Sequence, residues 1–191
     1  MSQEIPTNAA VAELIAEHAQ IQKVVAGLAL LETRVTSGEG ADPALLRRIL
    51  EFLREYADRL HHGKEESFFF LALERRGVPA TGCPVGALLG EHKRGRALVA
   101  EFAEGIEAYA AGTEGASEGL AATMRGLTEL YPAHIWKEDY LLFPMSEKVL
   151  REEDLAELIA QFKTVDLAIG DAAIARAEAL ATELAGIVAQ S

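Results

Sequence analysis

Residues 50–72, LEFLREYADRLHHGKEESFFFLA, set two histidines and two glutamates in a segment with the apolar spacing of an α-helix. Steps of three and four residues define one apolar face of that helix, made up of Leu50, Leu53, Ala57, His61, Glu65, Phe68 and Ala72. His61 and Glu65 are polar positions on this face, so we predict that both point into the protein. His62 and Glu66 belong to a charged row, and we expect them to face the solvent or the flank of the helix.

Three more histidines lie on apolar faces of helical segments, namely His18, His92 and His134. Glu138 follows the last of them by four residues, which repeats the histidine-to-glutamate spacing of the first stretch. Each histidine is about equally far from the end of its segment, and an α-helix rises about 1.5 Å per residue. If neighbouring helices alternate in direction, we expect four of the five histidines to meet at one level in the core.

Helix-forming residues dominate the chain, and the alternating pattern of β-strands is not seen. The sequence therefore predicts an all-α fold, an up-down-up-down antiparallel four-helix bundle with additional C-terminal helices. We predict long helices over about 8–36, 42–76, 84–112 and 117–145, and C-terminal helices over about 152–162 and 170–189. We assign residues 1–148 to the bundle and residues 149–191 to a C-terminal helical extension packed on the same domain.

The composition narrows the classes of function. A net charge of -12 without a basic run argues against a nucleic-acid partner. No apolar run approaches the roughly 20 residues of a membrane span, and the first ten residues do not resemble a signal peptide, so we expect a cytoplasmic protein that does not enter a membrane. The single cysteine, Cys83, excludes a disulfide or a thiolate metal cluster within one chain. Histidine and carboxylate side chains are therefore the candidate metal ligands.

A metal centre accounts for the buried polar residues. Polar groups without partners in a protein core cost several kcal/mol each, and bare charges cost more. Imidazole and carboxylate together suit iron, manganese or zinc. Two His-x-x-x-Glu pairs, each completed by one further histidine, suggest two metal ions with bridging glutamates. The predicted ligands are His18, His61, Glu65, His92, His134 and Glu138.

With these residues, the chain resembles bacterial members of the hemerythrin-like (HHE cation-binding) family, in which one His and one His-x-x-x-Glu pair occur in each half of a four-helix bundle. The resemblance covers about residues 10–148 and includes the stretch GVPATGCPVGALLGEHKRGR, residues 77–96. It implies a non-haem di-iron centre held by the six predicted ligands, with zinc or manganese as substitute metals. Ferritin-like di-iron bundles use a different Glu-x-x-His spacing and fit less well.

The chain departs from the oxygen-carrying hemerythrins at Arg96, where those carriers have another histidine. The resemblance therefore implies more coordination positions for water or substrate, as at catalytic metal sites. We expect a protein that binds, senses or reduces a small oxidant (dioxygen, peroxide or nitric oxide), in oxidative or nitrosative stress. An iron-sensing or iron-handling regulatory bundle without turnover is the alternative, and a helical interaction bundle with an incidental zinc site is a third hypothesis. Catalytic residues and enzymatic activity are left open.

Other polar and aromatic residues have weaker signals. Glu66 is a reserve ligand, and Glu91, Glu101 and Asp139 are candidate hydrogen-bond acceptors for ligating histidines, although solvated helix faces explain them equally well. Arg96 is expected to balance the bridging carboxylates or to guard an access route. We expect Trp136 to pack under the C-terminal helices or in a subunit interface, and a homo-oligomer is compatible with the sequence.

Overall fold

The computed structural model describes residues 8–191, and this part of the chain is 86% helical and contains no strand. Its six helices are α1 (Ala9–Ser37), α2 (43–75), α3 (Val85–Ala110), α4 (116–149), α5 (Glu152–Ile169) and α6 (Asp171–Val188). The all-α prediction is confirmed. The up-down-up-down order of the four long helices and the division at residue 148 stay predictions.

The first two helices begin at polar capping residues, Asn8 and Asp42. The side-chain oxygen of Asn8 accepts a hydrogen bond from the backbone N–H of Val11 at 2.9 Å. Asp42 accepts one from the backbone N–H of Ala44 at 2.8 Å. Gly38 ends α1 in a left-handed conformation with φ of 83°, which a glycine adopts without steric cost. Short polar residues and glycine therefore set these boundaries.

Helices α2 and α4 contain π-helical turns at the two His-x-x-x-Glu segments. In α2 these turns span Leu53–His62 and Glu65–Phe69, and in α4 one spans Glu138–Leu142. A π-turn pairs residues five apart, so it is wider than an α-turn and shifts the side chains away from the 3.6-residue period. The π-turns hold three of the predicted ligands: His61, Glu65 and Glu138.

The core consists of two apolar clusters with a polar layer between them. On α1, Leu14 belongs to one cluster and Ile21 to the other, and the buried Glu17 and His18 lie between them in the sequence. The other long helices repeat this order with the pairs Leu60 and Phe69 on α2, Leu88 and Val99 on α3, and Ile135 and Leu142 on α4. Hydrophobic side chains therefore enclose the polar layer from both ends.

The C-terminal helices pack against the long helices. Leu180, Ala181 and Leu184 of α6 join the apolar cluster of Ile21 and pack against α1. Leu158 and Phe162 of α5 join the apolar cluster of Leu14. Helix α5 continues to Ile169, past the predicted end near residue 162, because the helix break occurs only at Gly170. Both helices thus complete the core that surrounds the polar layer.

Trp136 lies on the surface of α4. It is 53% exposed and stacks on Tyr140, which is 45% exposed, with ring centroids 5.7 Å apart. The expectation that Trp136 packs under the C-terminal helices is therefore wrong, and its alternative, a place in a subunit interface, stays a prediction. The side chain projects from α4 away from the polar layer because the apolar row of that helix passes through Tyr131 and Ile135 instead.

By length and composition α1 is apolar enough to span a membrane, with a mean hydropathy of 1.2 over its most apolar window. Half of that window is buried inside the protein. Because α1 lies in the core and brings Glu17 and His18 into the polar layer, its hydropathy is that of a core helix.

Gly27 allows α1 and α6 to approach each other closely. A Cβ atom at this position would lie 2.9 Å from the Cβ of Leu184. We expect Gly27→Ala to destabilise the protein by about 1–2 kcal/mol, since the cost of overpacking exceeds the gain in helix propensity. Chemical denaturation measures this difference. Gly186→Ala on α6 is the control, because its Cβ would meet no atom within 4 Å; equal stability of the two variants would contradict the prediction.

Candidate metal centre

The structure brings the six predicted ligands together in the polar layer. All six are at most 3% exposed: His18 from α1, His61 and Glu65 from α2, His92 from α3, and His134 and Glu138 from α4. The ring centroids of His18 and His61 are 4.6 Å apart, and those of His92 and His134 are 4.7 Å apart. The expectation that these histidines meet in the core is therefore correct.

The nitrogen and oxygen atoms of these residues form two neighbouring sets of possible metal donors. One set contains His18, His61, Glu65 and Glu138, and the other contains His62, Glu65, His92 and His134. Within each set the donor atoms lie within 4.8 Å of one another. Glu65 belongs to both sets, so its carboxylate offers donor atoms to each of them.

His62 is buried in the second set, and the expectation that it faces the solvent or the flank is wrong. It is 4% exposed, and its ring stacks on His92 with centroids 3.8 Å apart and planes at 17°. The π-helical turn Leu53–His62 explains the error, because its larger number of residues per turn lets the adjacent His61 and His62 both face inward. A fifth histidine therefore lies at the site, and the sequence signal for it was the pair of adjacent histidines.

Each of the five buried histidines donates its Nδ1–H group to a carboxylate. The acceptors are Asp139 for His18 at 2.7 Å, Glu17 for His61 at 2.8 Å, Asp58 for His62 at 3.2 Å, Glu66 for His92 at 2.7 Å, and Glu91 for His134 at 3.0 Å. Hydrogen bonding at Nδ1 leaves the Nε2 lone pair for a metal and fixes the ring orientation. This arrangement is the usual surrounding of metal-ligating histidines.

These hydrogen bonds repeat between the two halves of the chain. Glu17 directly precedes His18, and Glu91 directly precedes His92. Each of the two glutamates also receives a hydrogen bond from a lysine: Lys64 donates to Glu17 at 2.5 Å, and Lys137 donates to Glu91. The two halves therefore repeat the pattern of the ligands and also the pattern of the residues that orient them.

The predictions about surrounding residues have mixed outcomes. Glu91 and Asp139 accept hydrogen bonds from predicted ligands, as expected, and so does Glu66. Glu101 is exposed on α3 and is a solvated residue. Arg96 pairs with Asp58 and Glu66 at 2.8 Å each. It therefore neutralises the carboxylates that orient His62 and His92, not those of the predicted ligands Glu65 and Glu138.

The surroundings shift the pKa values of the two inner carboxyl groups, Glu65 and Glu138, in opposite directions. Burial, reinforced by the neighbouring Glu138, raises the pKa of Glu65 well above its usual value. Burial also disfavours ionised Glu138, but His134 and His18 outweigh this effect and lower its pKa to about 2. Burial opposes the charge on His18 as well, yet the hydrogen bond to Asp139 and the nearby carboxylate of Glu138 raise its pKa to about 9. Without metal, His18 is therefore doubly protonated at neutral pH, and the protonated form of Glu65 is favoured.

Nε2 of His92 and Nε2 of His134 lie 3.1 Å apart in a hydrogen bond, but the other inner atoms of the predicted ligands have no hydrogen-bond partner. Six of the seven unpaired buried side-chain atoms among the described residues belong to the site: Nε2 of His18 and His61 and both carboxylate oxygens of Glu65 and Glu138. His18 Nε2 does lie 3.2 Å from a Glu138 oxygen, but not in hydrogen-bonding geometry. Burial of so many unpaired polar atoms is costly. Divalent cations satisfy this donor set, so the residues present fit a metal centre.

A cluster of three carboxylates next to the site is already neutralised by a lysine. Glu13, Glu17 and Asp166 are close enough to hold a metal ion. The Nζ atom of Lys64, whose side chain is 1% exposed, lies 2.6 Å from Glu13, 2.5 Å from Glu17 and 2.6 Å from Asp166. The lysine ammonium therefore takes the place that a cation would occupy.

A cavity of about 280 Å³ reaches the site between α2 and α3. Its lining includes His62, Asp58 and Arg96 together with the apolar Leu53 and Val99. Because His62 belongs to the second donor set, the cavity leads from the protein surface to that half of the site. Arg96 lies where an access route would open, as one of its two predicted roles requires.

Metal binding is expected to release at least one proton per chain at pH 7, from His18, because a metal competes with protons for the donor atoms. Glu65 adds to this release, since its pKa is also raised. Isothermal titration with zinc in buffers of different ionisation enthalpy measures this number. Near pH 10 the share of His18 should vanish, since its pKa in the metal-free protein is about 9. A binding enthalpy that does not depend on the buffer would contradict the prediction.

Comparisons with known proteins agree with this geometry. The family model for the hemerythrin HHE cation binding domain matches residues 9–146. The chain is similar to "Uncharacterized protein Rv1995" of Mycobacterium tuberculosis and "Uncharacterized protein Mb2018" of Mycobacterium bovis, with 24% identity over 161 residues in each case. The match covers 84% of this chain and 62% of the relatives. No solved structure matches the chain.

The family match spans the four long helices and all the residues of the two donor sets. The donor sets combine imidazole and carboxylate groups, as a cation-binding domain requires. The chain belongs to the hemerythrin HHE cation-binding domain family.

Proposed function

We propose that this protein holds a non-haem di-iron centre and uses it to bind, sense or reduce a small oxidant: dioxygen, peroxide or nitric oxide. The observation that carries the proposal is the pair of buried donor sets that share Glu65. Five imidazoles and two carboxylates suit iron better than calcium or magnesium, which prefer oxygen ligands. Zinc and manganese are the substitutes. We place the protein in the cytoplasm, in the response to oxidative or nitrosative stress.

Iron bound at such a site supplies one-electron redox chemistry and coordination positions for a small ligand. The chain's own residues hold and shield that position. Phe143 stacks on His18 with centroids 5.6 Å apart, and Phe70 stacks on His92 at 5.9 Å. These rings exclude water from the sides, whereas the cavity beside His62 supports access for a small molecule.

The carboxylates around the histidines keep the donor atoms in place during a change of metal charge. Each Nδ1–H bond to a carboxylate makes the imidazole a stronger donor. Asp58 and Glu66 are themselves paired with Arg96, and Glu91 is paired with Lys137. These ion pairs distribute the charge of the site towards the protein surface. Such a distribution of charge supports a metal centre that changes its oxidation state.

An iron-sensing or iron-handling bundle without turnover is the second candidate. It is favoured by the position of the donor sets between the two apolar clusters, since metal there stabilises the packing of all four long helices. At a free metal concentration of about 100 times Kd, one site adds about 2.7 kcal/mol, or roughly 5–10 °C in Tm. The chelated protein is then expected to melt well below the metal-loaded one.

Anaerobic purification with iron quantification tests the first step of the proposal, and about two irons per chain are expected for a dinuclear site. Stopped-flow mixing of the reduced protein with dioxygen, peroxide and nitric oxide tests the second. A spectral change followed by recovery on re-reduction supports reaction with that oxidant. Iron binding with inertness towards all three supports the sensing alternative. A protein that binds neither iron nor another transition metal would refute both.

A further inference from the structure

The site has two glutamate and lysine pairs, Glu17 with Lys64 and Glu91 with Lys137, and the two lysines differ in their exposure to solvent. Lys137, which donates to Glu91, has a side chain that is 37% exposed. Lys64, which donates to Glu17, is 1% exposed, because α5 covers it. From α5, Asp166 reaches Lys64 Nζ at 2.6 Å, and the ring of Phe162 lies 5.7 Å from the same atom. Within residues 8–191, the recorded contacts with a helix from outside the matched family domain are therefore made by the Glu17 and Lys64 pair and not by the Glu91 and Lys137 pair.

A continuous chain of polar contacts runs from α5 to the donor atoms. Asp166 pairs with Lys64, Lys64 donates to Glu17 at 2.5 Å, and Glu17 accepts from His61 Nδ1 at 2.8 Å. His61 belongs to the donor set that also contains His18. The far end of this chain, Asp166, lies 20 residues beyond the family match, which ends at residue 146.

We propose that Asp166 is a positioning residue for the metal site, and that α5 and the metal ion on the His18 and His61 side stabilise each other. Asp166 holds Lys64 over Glu17, and Glu17 fixes the His61 ring with Nε2 towards the metal. Since coupling between two events is reciprocal, ordered docking of α5 strengthens metal binding, and bound metal strengthens docking of α5. This inference rests on the proposed metal centre and deepens it, because metal occupancy becomes a signal that the C-terminal helices report.

Asp166→Asn tests the proposal with an uncharged side chain of the same size. We expect the affinity for Co²⁺, used as an air-stable spectroscopic probe, to fall about tenfold at one of the two sites, the range expected for residues that orient metal ligands. The d–d bands of the second, unaffected site should titrate as in the wild type. Asp166→Glu should restore most of the affinity, since it restores the charge.

Asp154→Asn is the matched control. Asp154 also ties α5 to α2, through two hydrogen bonds from Arg76 at 2.7 and 3.0 Å, but it has no contact with a ligand residue. We expect Co²⁺ titration of this variant to match the wild type within about twofold. Equal weakening by both variants, or equal weakening of both sites by Asp166→Asn, would mean that loose docking alone is responsible and would overturn the proposal.

Hydrogen exchange of the wild-type chain provides a test that does not depend on a variant. Addition of Co²⁺ should slow exchange in peptides from residues 152–169, and this protection should be lost in Asp166→Asn. Binding of Co²⁺ without any protection in α5 would overturn the coupling and leave the metal centre intact. Failure of the wild-type chain to bind Co²⁺, Zn²⁺ or Fe²⁺ would instead refute the proposed function itself.

Discussion

Glu65→Gln is expected to abolish dinuclear metal binding while leaving the metal-free protein at least as stable as the wild type. Glu65 is the residue common to both donor sets, so its loss removes a ligand from each. Burial and Glu138 raise its pKa well above the usual value, which favours the neutral acid in the metal-free protein. Glutamine has nearly the same shape as that neutral acid, so the metal-free fold loses little.

Metal quantification and thermal denaturation together measure both parts of this prediction. We expect the metal content to fall from about two to less than one per chain, with affinity lowered by more than about 100-fold, because loss of a ligand exceeds loss of a ligand's hydrogen-bond partner. The increase in Tm on adding metal should disappear. Glu101→Gln, an exposed change of the same kind on α3, is the control. Retention of two metal ions by Glu65→Gln would show that the shared carboxylate does not bridge them.

The apolar periodicity of the sequence was sufficient to predict that the six predicted ligands are buried. His18 and His92 lie in regular α-helix, so the 3.6-residue rule predicts which way they point. The same rule failed at His62, since that residue ends a π-helical turn. Sequence patterns carry little information on where a helix widens, because the widening depends on what the side chains meet across the core.

The residues that orient the ligands were harder to predict. Glu17 and Lys64 are 47 residues apart, and Asp166 follows Lys64 by 102 residues, so no local period joins them. One signal was present: a glutamate precedes the first ligand histidine and a lysine precedes the ligand glutamate in both halves of the chain. Burial of Lys64 comes from α5, and the sequence predicted only that this helix packs on the same domain, not which residues it covers.

The asymmetry between the two lysines leads to the second large effect, because Lys64 is buried and Lys137 is not. Lys64→Met is expected to destabilise the protein by about 3–5 kcal/mol, since it leaves a buried carboxylate without its partner. Glu17 is 6% exposed and would lose the ammonium that lies 2.5 Å away. For a chain of this length the Tm should fall by roughly 10 °C. Lys137→Met removes the equivalent contact at the surface and should cost about 1 kcal/mol or less.

The loss of stability caused by Lys64→Met should depend on pH. Burial raises the pKa of Glu17 to about 7, although Lys64 lowers it. Without the lysine the folded pKa rises further above the unfolded value of 4.5. A raised carboxyl pKa makes the folded state more stable at low pH, and that stability is lost as the pH rises through the folded pKa. Denaturation of metal-free Lys64→Met should therefore show a smaller deficit at pH 5 than at pH 8. A deficit that is the same at both pH values, or as small as that of Lys137→Met, would mean that Glu17 is not held ionised by Lys64.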